Sequence, residues 1–389
     1  MRNSGIAMAR PSSMAAPQSK SNSAAMRPKS IVFLGTAHDN GGSSILATNL
    51  AEVMRAEGHH VEEWYLFDSD GHHPAGTRIF VKQQRARSPL TLISLFARVV
   101  IALWRHKPDA VYGLQSLANL ITGIGGRLAG IRNRIPTYHS AIVHQNAALM
   151  KVDRVVGNLG FYTRVITCAE TVAETFVPNG PAYAKRLTVV VNGQKKPSTF
   201  ARDEARRELG LSPNDIFVGQ IGRFDYQKNQ SLTLDLIKDL PGIKLALLGA
   251  GPDEAAVKAA IAAGHLENRV QILKAIDHAR IGLFYAAVDA IVFPSRFEGL
   301  SLAAIEALHA GVPLVCSDIP SFREMFRDSS LLSETLLVPL NDRARWLTQI
   351  RAVLSDATTR ARVVGELARL SPSYSFDSMA KKYLAVIDQ

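Results

Sequence analysis

Sulfur chemistry has almost no material here: the 389 residues include 2 cysteines, Cys168 and Cys316. Two such distant thiols make neither a disulfide framework nor a metal spacing, and they read as small buried side chains in a reducing compartment. No apolar run reaches the roughly 20 residues that a spanning helix needs. The most apolar stretch, 89–104, is shorter and is interrupted by Arg98. Residues 1–29 contain no acid and no apolar segment of the kind a signal peptide requires. They read as a disordered basic N-terminal extension, with Met8, Met14 and Met26 as later alternative starts. Basic runs interleaved with aromatics are missing too, which argues against a nucleic-acid binder.

What is present suits a folded α/β protein: 47% hydrophobic and 7% aromatic residues, in a chain long enough for two domains. The net charge of +11 is lopsided. Residues 1–195 hold 22 Lys+Arg against 11 Asp+Glu, whereas residues 196–389 hold 23 against 23. The whole excess lies in the first half. A field of that sign attracts phosphate-rich partners: an anionic membrane surface, a lipid-diphosphate acceptor or nucleic acid. The 89–104 stretch is expected either to pack on a sheet or to lie on a membrane with Arg98, Arg105 and Lys107 toward lipid phosphates.

From residue 30 the text alternates. A buried strand at 31–34 leads through a glycine turn, 35–42, into an amphipathic helix over 43–57 and a second strand at 60–67. Further strands fit 110–112, 135–139, 165–168 and 187–191. Asn192-Gly193 with Lys195, Lys196 and Pro197 breaks the pattern, and the domain boundary is placed there. A second series follows: strands at 216–221, 244–248, 270–273, 290–293 and 313–316, and helices at 229–240, 253–263, 278–287 and 302–310. Such alternation predicts two doubly wound, Rossmann-like domains with parallel sheets, 30–195 and 196–370. A final helix near 378–387, within a segment 371–389, is expected to cross back to the first domain.

The segment 293–311, FPSRFEGLSLAAIEALHAG, is the most specific. Pro294, Ser295 and Gly299 end a strand, and a helix starts after Ser301, so the amides of Gly299, Leu300 and Ser301 face outward at a helix N-terminus suited to phosphate. Glu298 precedes that terminus and Glu306 lies inside the helix. In the segment 219–229, GQIGRFDYQKN, Arg223 and Lys228 flank a loop at the carboxyl end of a strand, a fork and a point charge for an anion.

These residues resemble glycosyltransferase family 4. The C-terminal half matches its G-R-x(4)-K-N loop with Gly222-Arg223 and Lys228-Asn229, its Glu-x7-Glu element with Glu298 and Glu306, and its Gly-x-Gly-Pro turn with Gly249–Pro252. In the N-terminal half, DNGGSSILATNLAEVMRAEGHHV (39–61) is similar to the family's diglycine loop, and VVVNG (189–193) to its interdomain strand end. The resemblance implies a GT-B fold, two Rossmann-like domains facing across a cleft. It also implies transfer from a UDP- or GDP-linked sugar to a saccharide or lipid-linked acceptor, with retention and without a metal or cofactor. Arg223 and Lys228 would hold the donor diphosphate, Glu306 the ribose, and Glu298 the transferred sugar. Gly42 would let the N-domain loop approach, and His139 would stand near the reacting sugar, with His144 as a nearby competitor. No carboxylate suggests itself as a covalent nucleophile, so front-face attack assisted by the leaving phosphate is implied. Here the motif reads FEGLS where the family commonly has EGFG.

Rival readings remain. Asp68-Ser69-Asp70 is an Asp-x-Asp after a strand, the cation grip of metal-dependent GT-A enzymes. A nucleotide-sugar 2-epimerase would share the architecture but needs acid and base carboxylates that do not assemble here. A non-catalytic basic binding protein would leave the Arg, Lys and Glu constellation unexplained. The overall expectation is a cytoplasmic hexosyltransferase, peripheral at the inner face of a membrane, in cell-envelope or exopolysaccharide synthesis.

Overall fold

Strands whose side chains are apolar on both faces must be covered on both faces, which forces helices between parallel strands. A computed structural model, describing residues 27–38, 42–68, 76–81 and 88–388, shows that arrangement twice. The first sheet contains β1 (Ser30–His38), β2 (His60–Asp68), β3 (Arg78–Val81), β4 (Ala110–Leu114), β5 (Asn133–Tyr138), β6 (Val165–Thr167) and β7 (Leu187–Val189). Its order is β3-β2-β1-β4-β5-β6-β7, with every pairing parallel. The second contains β8 (Ile216–Ile221), β9 (Ile243–Leu248), β10 (Val270–Leu273), β11 (Ala290–Phe293), β12 (Leu314–Ser317) and β13 (Leu337–Val338). Its order is β10-β9-β8-β11-β12-β13, again parallel throughout. The winding reverses between β1 and β4 and between β8 and β11. At such a switch point the loops leaving the carboxyl ends diverge and open a crevice.

Two strands, β3 and β13, have no counterpart among the sequence-predicted elements. β3 is a short edge strand opening on Arg78, and β13 is two residues long, so neither offers a period to read. The helix expected over 278–287 is two pieces. Asp277 caps a 3-10 turn, His278–Arg280, and an α-helix runs Gly282–Ala287. The break lies where a Cβ on Gly282 would stand 1.8 Å from the Ser198 carbonyl oxygen, so the linker backbone fixes the kink. The basic extension falls on residues 1–26, outside the described residues, apart from its last three positions.

The chain returns to the first sheet at its end. Gln194 and Ser375 form a parallel bridge, and a Cβ on Gly193 would lie 2.3 Å from the Ser375 carbonyl oxygen. Beyond this crossing the helix Phe376–Ile387 buries Met379, Tyr383 and Leu384 against the core of the first sheet, and the Tyr112 hydroxyl donates to the Tyr383 carbonyl. A second tie is made by Glu324 on the helix Pro320–Phe326. Its carboxylate accepts from the amides of Glu170 at 2.7 Å and Thr171 at 2.8 Å and from the Thr171 hydroxyl at 2.7 Å. One domain thus caps the helix Glu170–Phe176 of the other.

Candidate active site

Both expected loops leave neighbouring strands at the second switch point. Gly222, at φ +140°, follows β8, and a Cβ on Gly249, which follows β9, would stand 2.0 Å from the Gly222 carbonyl oxygen. Glycine at 249 is what lets these two turns touch. The loop ends at Asn229, left-handed at φ +54°, a conformation asparagine tolerates better than most residues. Asn229 Nδ2 donates to the Pro294 carbonyl at 3.1 Å, and its Oδ1 accepts from Arg296 at 3.0 Å. This side chain welds the loop after β8 to the loop after β11.

Across that weld Lys228 Nζ lies 2.6 Å from Glu298 Oε1. Glu298 also accepts from the Ser295 hydroxyl at 2.7 Å and from Gln227 Nε2 at 3.1 Å. Its side chain is 6% exposed and that of Lys228 is 16% exposed, so the pair is held in a mostly dry place. Arg223 stands at the mouth of the same loop, 68% exposed and paired with Asp225 at 2.6 Å. Lys228 and Glu298 are therefore fixed in advance, whereas Arg223 has room to swing.

The helix Leu302–Ala310 starts beside this cluster, and its N-cap, Ser301, makes no side-chain cap bond. The buried Ser301 hydroxyl has no partner, and the first-turn amides have none within the helix. Those groups are what a phosphate oxygen would satisfy. Beside Leu300, burial pushes the Cys168 thiol up to about 12, against a small opposing pull of the Leu300 backbone. Glu306 is buried rather than solvated. It accepts from the Tyr285 hydroxyl at 2.7 Å, with His278 Nε2 at 3.7 Å from its other oxygen. Burial raises its pKa, against the opposing pull of Tyr285 and His278.

From the first domain comes His139, just past β5. The buried Asp153 carboxylate receives the hydroxyls of Tyr138, Tyr162 and Tyr183 and so anchors the end of that strand. Thr137 donates its hydroxyl proton to the Gly113 carbonyl at 2.7 Å, so its contact of 3.3 Å with His139 Nε2 is one in which the imidazole donates. Nδ1 is left as an acceptor. Burial lowers the His139 pKa to about 4, which keeps the ring neutral at physiological pH. A Cβ on Gly299 would lie 1.8 Å from the His139 carbonyl oxygen, so the Glu298 loop and the His139 loop touch. The His144 ring stacks on Phe297, with centroids 3.6 Å apart.

The structure therefore gathers Glu298, Lys228, Gly299, Leu300, Ser301 and His139 at one seam, with Arg223 at its edge and Glu306 deeper. Gly42 begins the helix Gly42–Ala56, and the preceding residues 39–41 lie outside the described residues. Asp68 ends β2, while Asp70 lies outside the described residues. Sequence reasoning missed Gln227, Ser295 and Tyr285, which hold the two glutamates. Gln227 and Ser295 at least lie inside the two conspicuous segments; Tyr285 lies outside both.

Residues 201–369 match the family described as glycosyl transferases group 1. The relatives are enzymes of that kind. The chain is 31% identical over 243 residues to the lipopolysaccharide core biosynthesis mannosyltransferase LpsB of Rhizobium meliloti, an alignment covering 58% of this chain and 64% of that relative. It therefore spans just under two thirds of the length of LpsB. It is 25% identical over 388 residues to the D-inositol 3-phosphate glycosyltransferase of Xylanimonas cellulosilytica, covering 90% of this chain and 92% of that one. Anabaena Alr3699/HepE, solved in complex with UDP and glucose, superposes with a TM-score of 0.79 at 20% identity, covering 93% of this chain and 100% of that one. WaaG, a glycosyltransferase involved in lipopolysaccharide biosynthesis, superposes at 0.74 and 14% identity, covering 92% and 99%. The fold of the chain is GT-B.

Proposed function

We propose that the chain is a retaining hexosyltransferase that moves a sugar from a UDP- or GDP-linked donor to a saccharide or lipid-linked acceptor without a metal. The reading rests on the Lys228–Glu298 pair, 2.6 Å apart beside a helix N-terminus with an unpartnered hydroxyl. A diphosphate in that corner meets Lys228, Arg223 and the first-turn amides of the helix, which stabilise the negative charge that grows as the sugar departs. Glu298 faces the sugar and Glu306 the ribose. His139, neutral and with Nδ1 free to accept, orients a sugar hydroxyl rather than delivering charge. Glu298 is tied to Lys228 and Ser295 and serves as no nucleophile, so the acceptor attacks from the face of the leaving phosphate, which takes its proton. UDP and glucose in HepE support a nucleotide-sugar donor, and the names of the curated relatives support glycosyl transfer. The lipopolysaccharide biosynthesis named for LpsB and WaaG supports a role in making a cell-envelope glycan, which the same proposal places in the cytoplasm.

The test is a thermal-shift screen of UDP- and GDP-sugars, followed by a transfer assay with the sugar that stabilises most. Arg223→Ala and Glu298→Ala should each abolish transfer while keeping the fold, and transfer should persist in EDTA. Near-normal turnover in both variants overturns the site. Loss in EDTA that manganese restores overturns the metal-free mechanism.

A further inference from the structure

The helix Pro89–His106 is amphipathic twice over. Leu95, Val99, Ala102 and Leu103 form the stripe that packs onto the first sheet. On the opposite side, positions 90, 93, 97, 101 and 104 form a second helical stripe. It consists of Leu90, Ile93, Ala97, Ile101 and Trp104, with Leu90 at 76% and Ile93 at 65% exposure. In a helix that serves only the core, this outward stripe carries polar residues. Arg98 and Arg105 run along its flank, and they share a cavity of about 430 Å³ with His106 and with Arg78 of β3. The helix itself contains no acid. Glu62, next to the cavity, is engaged by Trp64 Nε1 and lies 3.6 Å from His106.

From these features we infer that the helix Pro89–His106 docks flat on an anionic phospholipid bilayer, with the Leu90–Ile93–Ile101–Trp104 stripe in the acyl boundary and Arg78, Arg98 and Arg105 on lipid phosphates. Charge selects this occupant. A second copy seated on the same face would set arginine against arginine, whereas an anionic surface complements both stripe and flank. By length and composition the helix could also cross a membrane. Its inner stripe is committed to the sheet, so it lies on the surface instead. The helix returns from the carboxyl edge of the sheet to its amino edge, which places Leu90 and Ile93 at the cleft end. A lipid-linked acceptor would reach the cleft from that side. The docking itself stands whether or not the chain transfers sugar.

Tryptophan reports it directly. Of the 3 tryptophans, Trp64 and Trp346 are fully buried and Trp104 is 58% exposed. Full-length protein should co-sediment with phosphatidylcholine vesicles containing about one third phosphatidylglycerol, with a blue shift in tryptophan emission, and bind pure phosphatidylcholine at least about tenfold less. Ile93→Asn with Trp104→Ser should cut sedimentation about tenfold, and Arg98→Gln with Arg105→Gln should do so on the anionic vesicles, both with unchanged melting temperature. No sedimentation and no blue shift for the unaltered protein overturns the inference. So does equal binding to both vesicle types. So does a concentration-dependent dimer that Ile93→Asn abolishes.

Discussion

Lys228 Nζ and Glu298 Oε1 meet at 2.6 Å although 70 positions separate them in the chain. The pair closes the loop after β8 onto the loop after β11, and it is formed before any donor arrives. Removing one partner of a mostly buried pair strands the other charge, a loss of about 3 kcal/mol. Lys228→Met and Glu298→Gln should each lower the unfolding free energy by about that much, while the double variant recovers most of it. Transfer should stay abolished in all three. Denaturant melts beside an activity assay check both outcomes. Full activity in the double variant would mean the pair only braces the loops.

Glu306 calls for a different signature. It is held by Tyr285, and in the proposed function it meets the ribose, so Glu306→Gln should raise KM for the nucleotide sugar about tenfold with kcat within about threefold. Tyr285→Phe should move KM in the same direction by less. Steady-state kinetics at saturating acceptor separate the two constants.

Gly299 brings the backbones of the two domains into contact. A Cβ there would collide with the His139 carbonyl oxygen at 1.8 Å. Gly299→Ala should displace the seam by about 1 Å and cost on the order of 100-fold in kcat/KM. Cys168, beside the same contact and with its thiol pushed up to about 12, should resist iodoacetamide in the native protein and react faster in the variant. Unchanged labelling would show that the seam absorbs the methyl group.

His139 links stability to pH. Its pKa drops from 6.5 to about 4 on burial, so the folded state binds fewer protons than the unfolded chain between those values. Stability should fall as pH drops through that window, by at most about 3 kcal/mol. His139→Gln should flatten that part of the curve in denaturant titrations at pH 4 to 7. An unchanged curve would place the titration elsewhere.

The second domain was legible nearly strand by strand, because buried parallel strands are unbroken apolar runs and glycines punctuate them. The extents of β8, β10, β11 and the helix Leu302–Ala310 agree with the sequence-predicted ones. The first domain read less well around β3, an edge strand of RIFV with no run to notice. Within the candidate site, the charged residues that the sequence singles out, Arg223, Lys228 and Glu298, do stand at one corner. Their supports are not singled out. Ser295, Gln227 and Tyr285 are ordinary polar residues whose value appears only once strands far apart in sequence stand side by side. The 89–104 stretch was read as either packed or surface-lying, and the helix has a stripe for each.

The Glu324 cap has a consequence for anyone who cuts the chain. The helix Glu170–Phe176 lacks a cap bond from its own N-cap residue, Ala169, and borrows a carboxylate from beyond the linker. A fragment ending near residue 195 would keep its sheet but fray at that helix, next to Cys168 just past β6. It would also forfeit the terminal helix that seals Tyr112. Expressed alone, the first half would be a damaged domain, and its failure to bind a ligand would say nothing about the intact chain.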